Sequence, residues 1–207
     1  MSNQETTKQA STLSLLRALQ PHRRLTGTEI AQITERQAAR LRTSLGIREA
    51  QFPVEAITEL PRITVRFDPE LPSSGMTFWN GHEWVILLDS TESRTRQRFS
   101  LVHEYKHIID HGVAEQVYGT KLGERSAEAE RAADYFAACV LMPKMLVKRH
   151  FGQGPRTVTE LAHLFDVSPA AMKYRLDHLG LIEKTRRCQP QRSIYHRTRP
   201  RVLEIAA

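Results

Sequence analysis

The segment His103-Glu104-Tyr105-Lys106-His107 constrains this chain more than any other. Phe99, Val102, Ile108 and Ile109 recur around it at helical spacing, and Gly112 stands where such a helix would stop. The spacing predicts a helix from about Ser93 to Asp110. Helical residues four apart lie within about 40° of each other, so His103 and His107 face the same way. Two imidazoles on one face can share a metal ion, and zinc suits such a pair. Glu104 lies beside them, placed to take a proton from water made acidic by the metal. A helix of this kind must bury one face and keep the other open to a cleft, with a second element alongside to complete the site.

That second element must bring a third ligand, because catalytic zinc keeps three protein ligands and one open position. A third His six residues past the second would fall at Val113, so that arrangement fails. His111 would lie about 80° around and about 12 Å along the helix from His103, too far for one ion. It reads instead as a helix C-terminal residue. Glu130, on the next long helical segment, has Asp134 one turn further along the same face. This pairing predicts Glu130 as the metal ligand and Asp134 as acceptor for a ligand imidazole N–H. Glu124 and Glu128 are the rivals. Glu128 projects about 160° from Glu130 and lacks the Asp134 partner.

The remaining elements are read from caps and periodicity. Thr26 to Glu29 is a capping box, with Leu25 and Ile30 as its staple, and the helix it opens runs to Gly46. A short helix lies between Pro53 and Pro61, and Ile63 to Phe67 alternates as a strand. Met76 to Trp79 and Glu83 to Leu88 read as strands around Asn80-Gly81, a dipeptide that a type I′ hairpin prefers. Val113 to Arg125 is a linker, followed by a helix from about Ala127 to Leu141. Pro143 opens a short helix to His150. After the loop Gly152 to Pro155 come two helices, Val158 to Phe165 and Pro169 to Leu179, capped by Thr157 and Ser168.

The expected fold class is α+β: a mainly helical core, a small antiparallel sheet and a C-terminal helix-turn-helix-like pair. The expected organisation is a disordered segment 1–22, a catalytic domain 23–150, a C-terminal subdomain 151–182 and a flexible basic tail 183–207. The formal net charge is +7. The tail holds seven Lys or Arg against two acids, a net of +5, so the basic character belongs there and not to the catalytic part. No apolar run approaches the roughly 18 residues of a membrane span, and the first 20 residues do not read as a signal peptide. Cys139 and Cys188 form no redox or metal pattern. The expected location is the cytoplasm, with no membrane partner.

Arg98-Phe99-Ser100-Leu101-Val102-His103-Glu104, Glu130 to Asp134, and Phe136-Ala137-Ala138-Cys139-Val140-Leu141-Met142-Pro143 together resemble the ImmA/IrrE family of metallo-endopeptidases. The stretches Trp84 to Asp89 and Leu161 to Ser168 are similar to the family as well, so the likeness covers about residues 30 to 182. The resemblance implies a thermolysin-like core, zinc held by His103, His107 and Glu130, and Glu104 as general base. It also implies a protein substrate, a DNA-binding transcriptional repressor cut at a specific bond in response to a signal. The chain departs from the family pattern at Lys106, where a small residue is usual, at Ala132, where a Glu is frequent, and at Asp134, where Asn is frequent. Lys106 could alter packing under the site and slightly disfavour a cation there.

Three points stay open in the sequence. Met76 to Trp79 or Glu83 to Leu88 could hold substrate as an added strand, with Trp79 and Trp84 packing across the hairpin. Tyr118, His111 and Arg98 are each candidates to stabilise an oxyanion. Residues 157 to 182 could bind DNA through exposed Ala170, Lys173, Tyr174 and Asp177, with Arg175 and the tail on phosphates. Such a regulator would act by binding DNA or a partner repressor with a vestigial zinc site. The poor base-reading set makes direct DNA binding the less favoured reading.

Overall fold

The computed structural model describes residues 11–154 and 157–182. In chain order the elements are α1 (Thr12–Arg17), α2 (Gly27–Ser44), α3 (Glu55–Thr58), β1 (Ile63–Asp68), β2 (Gly75–Trp79), β3 (Trp84–Asp89), α4 (Arg94–Asp110), α5 (Ala114–Tyr118), α6 (Leu122–Leu141), α7 (Lys144–Gly152), α8 (Val158–Phe165) and α9 (Pro169–His178). The class is α+β.

Local chemistry sets several helix ends. Glu29 N–H donates to Thr26 Oγ1 and Thr26 N–H donates to the Glu29 carboxylate, closing the capping box of α2. Thr157 and Glu160 repeat the device on α8, and Ser168 caps α9 with Pro169 at its first turn. Gly112, at φ +84°, takes the left-handed conformation that ends α4.

The three strands form one sheet in the order β1-β3-β2. The antiparallel sheet expected from sequence is in fact mixed: β2 runs antiparallel to β3, whereas β1 runs parallel to it, Ile63 opposite Trp84. Strand β3, mostly buried, is the continuous apolar run Trp84-Val85-Ile86-Leu87-Leu88 that a central strand needs. The hairpin turn is shifted by one residue from the expected Asn80-Gly81 centre. Asn80 N–H donates to Glu83 O at 3.1 Å, so Gly81 and His82 are the central pair. Only Gly81 has positive φ, and Asn80 Oδ1 instead accepts from the His82 and Glu83 N–H groups.

Two other expectations are corrected. The segment read as disordered, 1–22, contains α1, whose Leu16 is fully buried in the main core. Arg17 donates to the Ile108 and Ile109 carbonyls, tying α1 to the end of α4. A six-residue helix has too little periodicity to show in sequence and is held by packing. Residues 1–10 lie outside the described residues. The linker Val113 to Arg125 contains α5 and the first turn of α6, because Val117 and Tyr118 bury themselves with Leu25, Ile30 and Ala132.

Helix α4 packs on β2 and β3 on one side and on α6 on the other, around Val102, Tyr105, Ile86, Leu88, Phe136 and Val140, and α6 packs in turn on α2. The same core includes Leu161, Phe165, Met172 and Leu176, so residues on both sides of position 150 share one interior. Among the described residues no helix is long and apolar enough to cross a membrane. The basic stretch 183–207, with Cys188, lies outside the described residues.

Candidate metal centre

Helix α4 presents His103 and His107 one turn apart, their ring centroids separated by 4.9 Å. Helix α6 runs alongside and brings Glu130 between them. His103 Nε2 and His107 Nε2 are 3.1 Å apart. Glu130 Oε2 is 3.2 Å from the first and Glu130 Oε1 is 3.3 Å from the second. In a tetrahedral site with ligand bonds near 2.0–2.1 Å, two ligand atoms lie about 3.3 Å apart. The three side chains therefore already sit close to the spacing that one such ion requires, and they could hold a metal. Glu128 turns to Arg131, at 3.6 Å, and neither it nor Glu124 joins the group.

Asp134 sits one turn along α6 from Glu130. His103 Nδ1 donates to its Oδ1 at 2.9 Å. This bond places the ring proton on Nδ1 and leaves the Nε2 lone pair facing His107 and Glu130. Burial draws His103 toward the neutral form, but the Asp134 bond and the carboxylates of Glu104, Asp134 and Glu130 carry its pKa above the ordinary value. His107 is pushed down, first by burial and then by His103.

Glu104 is 8% exposed. Burial pushes its carboxyl up to about 7, with His103 drawing it down and Glu130 adding to the rise. A carboxyl titrating near neutrality is suited to general base work. Its side chain lies against Gly75 at the start of β2. A Cβ added at Gly75 would stand 2.9 Å from Glu104 Cγ and 3.0 Å from Oε1. Gly75 is thus a site residue that sequence reasoning missed, since nothing in a lone Gly points to a side chain 29 positions away.

This constellation sits inside the stretch, residues 63–177, that matches the family model of peptidase M78, the IrrE N-terminal-like domain. The chain belongs to this family. It is similar to the radiation response metalloprotease IrrE of Deinococcus radiodurans, 33% identical over 44% of this chain and 30% of the relative. It is also similar to that of Deinococcus deserti, 32% identical over 56% of this chain and 43% of the relative. The chain thus spans less than half the length of these curated relatives. A solved structure, described as a Mycobacterium tuberculosis transcriptional regulator, shares the fold with a TM-score of 0.58. It is 16% identical, covering 81% of this chain and 52% of that one.

Within this M78 domain, the motif lysine is engaged away from the His103, His107 and Glu130 group. Lys106 is 1% exposed, and its Nζ donates to Asp110 Oδ1 at 2.5 Å and to Gln37 Oε1 at 2.9 Å. Gln20 Nε2 and Tyr118 OH also donate to the Asp110 carboxylate. Gln37 in turn donates to the Leu16 carbonyl of α1. The charge that could have disfavoured a cation is spent on a buried network joining α1, α2, α4 and α5. The i,i+4 spacing of Lys106 and Asp110 was the available signal for it. Ala132, where a Glu is frequent in the family, is buried beside Val117 and Tyr118.

Two of the three oxyanion candidates are likewise committed elsewhere. Tyr118 is bound to Asp110. Arg98, 3% exposed, donates to the Phe52 and Asp166 carbonyls and pairs with the Asp166 carboxylate at 3.1 Å. His111 packs its ring edge on Trp84 at 4.7 Å. Trp84 also meets Trp79 across the hairpin at 5.5 Å, the former buried and the latter exposed.

The structure also removes Arg175 from the set expected to touch phosphates. It is 1% exposed and donates to the Met142 carbonyl and to Cys139 Sγ, pinning α9 to the end of α6. Ala170, Lys173 and Tyr174 are exposed as expected, and Asp177 is half-buried.

Proposed function

We propose that this chain is a zinc-dependent endopeptidase that cuts a protein substrate at a specific bond, and that the substrate is a DNA-binding transcriptional repressor. The observation that carries the reading is the meeting of His103, His107 and Glu130 within 3.1–3.3 Å, with buried Glu104 on the same helix. Two imidazole nitrogens and one carboxylate oxygen form a donor set typical of catalytic zinc. Bound zinc supplies Lewis acidity and makes water nucleophilic near neutral pH.

The chain's residues divide the rest of the work. His103, His107 and Glu130 hold the ion, and Asp134 fixes the His103 tautomer. A Glu104 carboxylate oxygen takes the proton of the attacking water and passes it to the leaving amide nitrogen. Strand β2, at the sheet edge and beside Glu104 through Gly75, is placed to align an extended substrate by main-chain hydrogen bonds. The repressor as substrate rests on the ImmA/IrrE likeness, and such a substrate sets the work in the cytoplasm. Arg175, buried against α6, weakens the alternative in which α8 and α9 bind DNA directly.

Metal analysis and incubation with purified helix-turn-helix repressors, beginning with any encoded beside this protein, test the reading. The expected result is one zinc per chain and one cut site by mass spectrometry. Glu104→Gln should keep the zinc and the fold while losing about 10²–10⁴-fold in rate. Undiminished cleavage by Glu104→Gln would overturn the assignment.

A further inference from the structure

A cleft of about 640 Å³ opens between the first half of α4, the middle of α6 and one face of α9 along its length. That is the size of a pocket for a small ligand or a few side chains. Phe99, Tyr135, Ala138, Met142 and Tyr174 give it an apolar lining. We infer that this cleft is a substrate subsite that takes a large apolar side chain next to an acidic one. The inference rests on the peptidase reading and deepens it.

Continuity with the metal centre is the first argument. Asp134 lines the cleft and also holds His103 Nδ1 at 2.9 Å. Arg131 and Tyr135 flank Glu130 and Asp134 on the same helix. His103, His107 and Glu130 do not themselves line the cleft; Asp134 is the residue that joins it to them.

Charge is the second argument. Asp134 is the lone acid among the lining residues and is already engaged by His103. Against it stand Arg96, Arg131 and Arg175. Arg96 and Arg131 are 53% and 69% exposed and only loosely matched, by Glu92 at 3.7 Å and Glu128 at 3.6 Å. Arg175 is buried in the wall, has no ion-pair partner among the described residues, and its Nη1 has no hydrogen bond. A buried guanidinium with no carboxylate in ion-pair contact favours an anion nearby. The chain's own tail, net +5 over 183–207, has the wrong sign to fill the cleft.

The α8–α9 pair then has a role that needs no DNA: α9 forms one wall of the peptide cleft. The zinc-loaded full chain, incubated with a proteome-derived peptide library, tests this by mass spectrometry of the cut sites, with Glu104→Gln as the control. Cut sites should show a large apolar and an acidic residue at fixed distances from the broken bond. The double variant Arg96→Glu with Arg131→Glu should shift the acidic-to-basic ratio of kcat/KM by about tenfold or more. Ala170→Trp, an exposed residue of the cleft wall, should lower the ratio for large over small apolar residues by a similar factor. Cut sites without this enrichment, or a preference unmoved by both variants, would overturn the subsite and leave the peptidase reading standing. No cutting above the Glu104→Gln control would overturn both.

Discussion

Replacing Lys106 by Met tests whether the motif lysine supports the fold or modulates the metal. Met has nearly the same volume, so no large cavity opens, and the change removes one buried charge and its two hydrogen bonds. Breaking a buried ion pair from one side costs about 3–5 kcal/mol. Here Gln20 and Tyr118 still donate to Asp110, which argues for the low end, about 3 kcal/mol. Gln37 Oε1 loses its donor, adding about 1 kcal/mol. The sum, about 3–4 kcal/mol, corresponds to a fall in Tm of roughly 10 °C for a chain of this size. Urea and thermal unfolding of the chelator-treated protein would measure it. Asp110→Asn in the same chain should restore part of the loss, with a coupling of at least about 1 kcal/mol. Lys106 acts on His107 only as the weakest of the charges around it, so the zinc Kd of the folded variant should change by less than about tenfold. A Tm within about 2 °C of the parent, or zinc binding tightened beyond tenfold, would refute the reasoning.

Other outcomes follow from the same geometry. Asp134→Ala frees the His103 ring and should weaken zinc binding by about 10–100-fold in competition titrations. Gly75→Ala puts a methyl 2.9 Å from Glu104 Cγ, so kcat should fall by about 10²-fold while zinc content stays at one per chain. Unchanged kcat would show that Glu104 has room to move. In protein stripped of metal by chelation, Glu104 titrates near 7 when folded and near 4.5 when unfolded. The folded state then binds the extra proton between those values. Its contribution to stability is complete below about pH 4.5 and is lost as pH rises through about 7. Glu104→Gln should flatten that decline in a series of thermal midpoints, and an identical slope in both proteins would count against the buried carboxyl.

The elements with short-range signals were legible in sequence. The α2 and α8 capping boxes, the Ser168-Pro169 start of α9 and the helical setting of His103 and His107 each depend on residues within one or two turns. Glu130 and Asp134 were legible for the same reason, as an i,i+4 pair on one face of α6. Much that was missed depends on contacts between residues far apart in the chain. The type of a turn hung on a one-residue shift of register, and α1 was too short to show a period.

By itself, then, the sequence determined the longer helices, several of their caps and which side chains share a face, but not the short α1 and α5, because backbone hydrogen bonding and helical periodicity are local. Only the tertiary structure decided what those faces meet. It laid β1 parallel to β3, set Gly75 against Glu104, turned Lys106 into a network with Gln37 and Asp110, and buried Arg98 and Arg175 under backbone carbonyls. A charged side chain reads as exposed in a sequence because burial costs so much. Whether that cost is met depends on partners that packing brings from 69 residues away for Lys106 and 33 for Arg175.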